Sequence, residues 1–403
     1  MLMPQPSPNP SSRPPQVPPA LVGWPLLRLG FRPFYLLTAL LACLSVPVWV
    51  AAFLGYMPLQ LPMSALLWHG HEMLFGFAAG VVAGFLLTAV RAWTGLNTAR
   101  GPLLAVLALL WLAARVAALC APYAVFAVID MLFLPAVAVV LLRVLLQAGN
   151  KRNIPLISLL LLMSVANLCF HLIELQVIAL DPLLPLYAEL ALIVMVVSVM
   201  TGRVVPMFTR NVTPGLVINT SRRFELGLLA ATAIALLLWV GSAPTVLVVA
   251  ACAVAALLHA IRLYRWSPWV TLKRPILWVL HLSYAWMPIG FAMLAGARLG
   301  WLGQTFAVHA LTVGVIGGLI IGMVTRTARG HTGRPLQATR GETIAYALVL
   351  LATVVRVVLP VMTPQLYPRA LEISATFWAL AFAIYLVIYT PWLFRSRLDG
   401  KDG

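Results

Sequence analysis

The residues of this chain best suited to chemistry are two histidines and a glutamate in the run Trp68-His69-Gly70-His71-Glu72. Imidazole is a common ligand of copper, iron and zinc, and a neighbouring carboxylate can orient the ring or carry protons. The run stands at the threshold of a long apolar segment, where ionisable side chains are costly unless they have a partner. We therefore predict a metal site there.

The composition shows what kind of protein must position these side chains. Hydrophobic residues make up 62% of the chain and charged residues 9%, with a mean hydropathy of +0.99. Such a chain has too few polar groups to cover a soluble surface. Because lipid offers no hydrogen-bond partner to the backbone, each span is expected to be a helix of roughly 20 apolar residues. We predict an all-α, polytopic membrane protein.

Twelve apolar segments are long enough to cross a bilayer, and their apolar runs are continuous rather than alternating. They lie near residues 34–54, 72–90, 102–120, 123–146, 154–174, 187–208, 226–241, 244–263, 275–297, 305–324, 343–362 and 371–393. We predict a single transmembrane domain over 28–396. A disordered, proline-rich cytoplasmic tail is expected at 1–27 and a short cytoplasmic tail at 397–403.

The basic residues predict the orientation of these spans. If the amino terminus is inside, the 27 lysines and arginines fall almost entirely in cytoplasmic loops, as such residues usually do. The outer loops keep only Arg298 and Arg369. Both termini are therefore predicted to be cytoplasmic, and the net charge of +17 is a topology signal rather than a nucleic-acid-binding surface. Membrane lipid is an expected partner, and nucleic acid is not.

Four histidines share one depth in the predicted outer half of the membrane. At ~1.5 Å per residue they lie roughly 7 to 15 Å outward of the midplane, and they are His69, His71, His171 and His309. Three or four imidazoles meeting in a dry site indicate a metal ion or a haem. His69 and His71 would both face one ion only if the chain is unwound at Gly70, because helical neighbours two apart point about 200° apart. Otherwise one ring binds metal while the other faces water.

Two carboxylates and two arginines accompany this layer. Glu72 and Glu174 are candidate catalytic residues that orient a ligand or relay protons, with a solvated helix end as the alternative for each. Arg115 and Arg356 fall inside spans 3 and 11 and need anions, and haem propionates would serve. The competing interpretation is a salt bridge to Asp130, Glu174 or Glu189.

A second pair of histidines, His259 and His281, lies roughly 7 to 9 Å inward of the midplane on consecutive spans. We predict that they form a second metal site or supply the axial ligands of a haem. A hydrogen-bonded contact between helices is the simpler alternative for each. The four cysteines do not form the C-x-x-C-H motif, so a haem is expected to be non-covalent. His331 is placed in the loop after span 10.

Two spans carry glycines at four-residue spacing. They are Gly76, Gly80 and Gly84 in span 2, and Gly314, Gly318 and Gly322 in span 10. Such stripes favour close packing of helices. The alternative is a bare helix face on which a flat ring lies.

Several stretches of the sequence resemble one family of membrane proteins. They read GFRPF at 30–34, LWHGHEMLFGF at 67–77, WTG at 93–95, GR at 202–203, TRN at 209–211, LWVLHL at 277–282, HALTVG at 309–314 and GHTGR at 330–334. On these residues the chain resembles the NnrS proteins, haem- and copper-containing inner-membrane proteins linked to nitric oxide metabolism in denitrifying and nitrosatively stressed bacteria. The resemblance runs from about residue 28 to the carboxyl terminus.

The resemblance implies non-covalent haem, copper and nitric oxide as ligands, a place in the bacterial inner membrane, and an electron donor that the sequence does not identify. We expect an outer haem and copper site in which Arg115 and Arg356 hold the propionates. Its metal ligands would be His69, His71, His171 and His309. The expected function is binding of nitric oxide, with or without reduction to N2O, as protection against nitrosative stress. The alternatives are a non-catalytic nitric oxide binder that protects cellular iron, and a twelve-helix transporter of a metal or haem.

Overall fold

A computed structural model describes residues 23–219 and 221–402 of the chain. Within these ranges it contains helices and no strand, and twelve helices are long and apolar enough to cross a membrane. They are α1 (Phe31–Phe53), α2 (Ala65–Thr94), α3 (Pro102–Cys120), α4 (Tyr123–Gln147), α5 (Lys151–Glu174), α6 (Leu183–Arg210), α7 (Arg222–Val240), α8 (Thr245–Arg265), α9 (Pro275–Arg298), α10 (Gln304–His331), α11 (Arg340–Met362) and α12 (Pro364–Leu393). The predicted all-α, twelve-span fold is confirmed.

The two ends of the described chain lie on one face of the bundle. Arg32, at the start of α1, donates to the carbonyl of Leu393 at 2.7 Å. Asp402 forms ion pairs with Arg91 and Arg100, at 2.8 and 2.6 Å, across the connection between α2 and α3. An even number of spans requires this arrangement. The predicted tail, residues 1–27, lies outside the described residues except for 23–27, which contain the short 3-10 turn Pro25–Leu27.

The largest departure from the predicted bounds is the start of α2. This helix begins at Ala65, seven residues before the predicted start, because the Ser64 hydroxyl caps it by accepting from the backbone nitrogen of Leu67 at 3.3 Å. A capped first turn satisfies an amide that would otherwise lack a partner. His69 and His71 therefore lie within a formed helix rather than at its threshold.

Helices α2 and α10 are the most buried members of the bundle. In their most apolar stretches 83% and 67% of the residues are buried, against 28% to 56% in the other ten. Each contains a π-helical segment directly after a histidine, at Glu72–Ala78 and at Ala310–Gly317. Short π-helical segments occur frequently at functional sites. The α10 helix also extends to His331, so the prediction of His331 in a loop is wrong.

The glycine stripes of these two helices are packing surfaces. A Cβ atom at Gly80 would lie 2.6 Å from the side chain of Thr38, and one at Gly322 would lie 2.7 Å from Leu280. Neighbouring helices thus already occupy the space beside the glycines. The structure favours the packing interpretation over a bare face that receives a flat ring.

Candidate metal centre and adjoining cavity

Three buried side chains from three helices meet in the half of the bundle predicted to face outward. They are His71 on α2, Asp130 on α4 and His171 on α5, and their potential ligand atoms all lie within 4.8 Å of one another. The Nε2 atoms of the two histidines lie 3.3 and 3.2 Å from the same oxygen, Asp130 Oδ2. Two ligands bound to one ion at about 2.1 Å and a tetrahedral angle lie about 3.4 Å apart. This group, called the candidate centre below, therefore has the spacing of a metal site.

In each histidine of the candidate centre, the ring nitrogen that faces away from Asp130, Nδ1, contacts a second polar side chain. The Nδ1 atom of His71 lies 3.2 Å from Glu72 Oε1. The Nδ1 atom of His171 lies 2.9 Å from the hydroxyl of Tyr123. In metal sites such contacts orient the imidazole, fix its tautomer and raise its basicity. The Nε2 atoms are left to face Asp130.

Arg115 holds the acidic groups of the site. Its Nη1 donates to Glu72 Oε1 at 2.8 Å, and its Nη2 forms an ion pair with Asp130. A Cβ atom on Gly76 would lie 2.8 Å from Nη1, so the glycine leaves room for the guanidinium to pass. Of the two interpretations of Arg115, the structure shows the salt bridge. Nη1 and Nη2 are engaged by Glu72 and Asp130, whereas the role of Arg115 toward a haem propionate stays a prediction.

His71 faces hydrogen-bond acceptors on both sides of its ring. Its Nδ1 faces Glu72, and its Nε2 lies 3.1 Å from Asn167 Oδ1 as well as near Asp130. The orientation of the Asn167 amide is set by its Nδ2, which donates to Asp130 Oδ2 at 2.7 Å. A neutral imidazole carries only one N–H. A second proton or a metal ion at Nε2 is needed to make both contacts favourable.

The charge of the group also favours a cation. Glu72 and Asp130 contribute two negative charges and Arg115 one positive charge, and all three side chains are buried. An uncompensated charge of −1 in a buried site is costly. A monovalent cation or one extra proton would bring the group to neutrality.

A cavity of about 140 Å³ lies on the other side of α2, between α2 and α10. Its lining is mostly apolar and comes from α1, α2, α10, α11 and α12. Its ionisable side chains are those of His69, His309 and Arg356, and Thr312 and Ser374 add two hydroxyls. Mostly apolar cavities of this size admit small apolar molecules.

The two histidines of the cavity each have a ring nitrogen to offer an occupant. His69 stacks on Trp49 with ring centroids 4.0 Å apart, and its Nδ1 has no hydrogen-bond partner among the described residues. The Nδ1 of His309 donates to the carbonyl of Thr305 at 2.7 Å. That bond places the ring proton on Nδ1 and leaves a lone pair on Nε2.

Arg356 brings a buried positive charge to the same cavity. Its side chain is 5% exposed, and Nη1 has no hydrogen-bond partner in the described part of the chain. The guanidinium lies over the ring of Tyr367, 5.5 Å from its centroid. No ion pair with a described carboxylate compensates it, so the cavity suits an occupant that carries or develops negative charge.

The chain as a whole matches one known protein family. Residues 25–397 match the family described as NnrS protein. The chain belongs to the NnrS family. No curated protein matches it. This NnrS family member is thus a multi-pass membrane protein with a buried His/Asp/His group suited to a metal ion.

The predicted outer layer of four histidines is divided in this NnrS family member. His71 and His171 belong to the candidate centre, whereas His69 and His309 line the cavity. The structure does not bring the four histidines into one group, because α2 is a regular helix from Ala65 through His71, and their roles as metal ligands stay predictions. Side chains two positions apart on such a helix point about 200° apart. The rings of His69 and His71 therefore face opposite sides of α2.

Glu174, the second predicted catalytic residue, lies half-buried at the end of α5, three residues after His171. Its carboxylate is near enough to Tyr123 to interact with that side chain electrostatically. Glu174, Tyr123, His171 and Asp130 thus form a polar series from the helix end to the candidate centre. Its predicted catalytic role stays a prediction.

The inner histidines have separate protein partners. His259 contacts the hydroxyls of Thr232 at 3.0 Å and Tyr284 at 2.5 Å. His281 donates through Nδ1 to the carbonyl of Leu277 at 3.1 Å, and its Nε2 lies 3.4 Å from the hydroxyl of Thr209. The simpler alternative, a hydrogen-bonded contact between helices, describes this geometry. Their role as cofactor ligands stays a prediction.

Sequence reasoning missed one residue of the candidate centre, Asp130, and two that contact it, Asn167 and Tyr123, as site residues. Asp130 was considered only as a salt-bridge partner, and Asn167 and Tyr123 were not considered. Asn167 stands four residues before His171, a spacing that places both on one face of a helix. That spacing, together with a carboxylate in the middle of an apolar span, is the signal that would have identified them.

Proposed function

We propose that this chain is a metalloprotein of nitric oxide metabolism in the bacterial inner membrane, in which the candidate centre binds copper and the adjoining cavity binds nitric oxide. The observation that carries this proposal is the convergence of His71 and His171 on Asp130 in a buried, negatively charged group. The link to copper and nitric oxide comes from the NnrS resemblance.

Copper fits the donors and the charge of the candidate centre. Imidazole suits copper as well as iron and zinc, and two imidazoles with one carboxylate also form iron and zinc sites. A cuprous ion would neutralise the charge of −1 left by Glu72, Asp130 and Arg115. It would also sit against His71 Nε2, which otherwise faces two acceptors. Metal bound there would supply a redox-active ion.

Haem, the other cofactor that the resemblance implies, fits the donors of the cavity but not its volume. His69 and His309 offer imidazole nitrogens, and Arg356 offers a partner for a carboxylate. The cavity measures about 140 Å³, against roughly 300 to 1,000 Å³ for sites that take organic ligands. This conformation does not admit a porphyrin. Haem content stays a prediction of the resemblance.

Nitric oxide is small and neutral, and it matches the cavity in size and polarity. An apolar cavity of this volume holds small apolar molecules. The Arg356 guanidinium is a fixed positive charge that would stabilise negative charge developing on a bound, partly reduced molecule. Since His69 and His71 are separated only by Gly70 on α2, the gas would be held one helix away from the candidate centre.

Reduction of nitric oxide to N2O is a second candidate function, favoured by the polar series that ends at the candidate centre. The reaction joins two molecules of nitric oxide with two electrons and two protons to give N2O and water. Glu174 and Tyr123 are positioned to pass protons toward His171. The electrons would come from an external one-electron donor.

Anaerobic titration of the purified, copper-loaded and reduced full-length protein tests both functions. A binder takes up nitric oxide until saturation at about one molecule per chain, whereas a reductase continues to form N2O while reductant lasts. We expect uptake to be reduced in Arg356→Gln and retained in the control Glu372→Gln, whose side chain is 24% exposed and lies outside both sites. The proposal is contradicted if the wild type neither retains nor consumes nitric oxide.

A further inference from the structure

A second cavity, of about 520 Å³, opens at the opposite end of the bundle, between α2, α5 and α6. Its polar lining comes from Trp93, Asn150, Arg152, Asn153, Arg203 and Arg210. This is the side on which the basic residues predict the cytoplasm. Three stretches that carry the family resemblance, at 93–95, 202–203 and 209–211, contribute to this lining.

The positive charge of this cavity is not compensated within the described residues. Arg152, Arg203 and Arg210 line it, no carboxylate does, and none of the three forms an ion pair in the described part of the chain. Arg203 donates from Nη1 to Asn153 Oδ1 at 2.7 Å, and Asn153 donates in turn to Asn150 at 3.0 Å. These amides position Arg203 but leave its charge unbalanced.

The carboxylates described at the same end of the bundle already have other partners. Their ion pairs are Glu225 with Arg262, Glu342 with Arg329, Asp399 with Arg397, and Asp402 with Arg91 and Arg100. The anion that balances the cavity would therefore come from outside the described chain.

Membrane topology alone does not account for this arrangement. Retaining a loop on the cytoplasmic side requires only basic side chains near the helix ends. Here Asn153 is 6% exposed and Arg203 is half-buried at the base of the cavity, while Arg152 and Arg210 are exposed at its rim, so the cavity is a recess open to the cytoplasmic surface. Such a space suits a specific ligand.

We propose that this cavity binds a phosphate-bearing anion at the membrane surface, and its position favours the headgroup of an anionic phospholipid as the source. Guanidinium groups match the oxygens of phosphate with paired hydrogen bonds. Basic pockets between transmembrane helices on the cytoplasmic side bind such headgroups. A volume of about 520 Å³ has room for more than a bare phosphate. This site is independent of the proposed nitric oxide function.

Lipid titrations of the detergent-purified, full-length protein test the proposal, with binding read by native mass spectrometry and by the shift in unfolding temperature. The probes are phosphatidylglycerol, the zwitterionic phosphatidylcholine, and soluble glycerol phosphate. We expect phosphatidylglycerol to bind the wild type in preference to phosphatidylcholine. Arg152→Gln and Arg210→Gln should each weaken that binding about fivefold, the effect of about one basic residue at a membrane surface.

Arg143→Gln is the matched control, because Arg143 is exposed on α4 and does not line the cavity. It should bind phosphatidylglycerol as the wild type does. If glycerol phosphate binds with the same dependence on Arg152 and Arg210, the phosphate site stands and its source is a soluble compound. Equal binding of both lipids, or equal loss in all three variants, would overturn the proposal.

Discussion

Replacement of Glu72 by glutamine is expected to weaken metal binding at the candidate centre about fiftyfold without removing a ligand. Glu72 lies 3.2 Å from His71 Nδ1, on the side of the ring away from the proposed ion. Glutamine keeps the size of the side chain and retains an oxygen for this contact. The substitution therefore tests mainly the negative charge.

The magnitude follows from the geometry. The contact of 3.2 Å, the width of the imidazole and a metal bond of about 2 Å place the ion no more than about 7 Å from the Glu72 oxygen. At an effective dielectric constant of about 20, a unit charge at about 7 Å attracts a monovalent cation by about 2.4 kcal/mol, or about fiftyfold in Kd. Loss of outer contacts in metal sites typically costs 10- to 100-fold in affinity.

The assay is a competition for cuprous ion between the purified protein and a coloured chelator of known affinity. Glu372→Gln is the control, since Glu372 bonds to Tyr56 and Arg369 at the surface. The control should match the wild type. The reasoning is refuted if Glu72→Gln binds cuprous ion as tightly as Glu372→Gln while both proteins unfold at the wild-type temperature.

Three further substitutions follow from the same structure. Gly76→Ala would place a Cβ atom 2.8 Å from Arg115 Nη1, so we expect the free energy of unfolding to fall by about 1 to 3 kcal/mol; an unchanged denaturation midpoint would contradict this. Arg356→Gln removes a buried charge whose Nη1 has no described partner. The ligand-free variant should therefore unfold at a higher temperature than the wild type, and it should retain less nitric oxide. A lower unfolding temperature would count against this account. Burial alone would raise the pKa of Asp402, but hydrogen bonds from Arg100 and Arg91 hold this pKa below 3.8. The ion pairs of Asp402 therefore stabilise the folded tail at pH values above the ordinary pKa. This contribution is lost as the pH falls through the lowered pKa. Asp402→Asn should accordingly expose the carboxyl-terminal tail to protease already at pH 7, whereas we expect the wild type to become sensitive only in strong acid. Equal protease resistance at both pH values in both proteins would refute the role of this ion pair.

The sequence predicted the membrane fold well because hydropathy reports directly on what lipid requires of a helix. Twelve spans were expected and twelve are described. The start of α2 was missed because the polar run at 68–72 resembles a helix end, whereas the Ser64 cap starts the helix before it. That error mattered, since it allowed His69 and His71 to be placed on one ion.

The site was predicted only in part. The position of a histidine within its span predicts its depth in the membrane, but it does not predict which neighbouring helix the side chain faces. His171 and His309 are predicted to lie at the same depth, yet they face opposite sides of α2. His171 lies in the candidate centre with His71, and His309 lines the cavity with His69. Which helices are neighbours depends on tertiary packing, and so does the pairing of Arg115 with Asp130. The sequence could offer that salt bridge only as one of two alternatives.

Copper content of the purified full-length protein, measured in His171→Ala and His309→Ala beside the wild type, tests the central claim most directly. The two histidines share a predicted depth but belong to different sites. The account predicts about one copper per chain in the wild type and in His309→Ala, and its loss in His171→Ala. Copper retained in His171→Ala and lost in His309→Ala would contradict the assignment of the metal to the group formed by His71, Asp130 and His171.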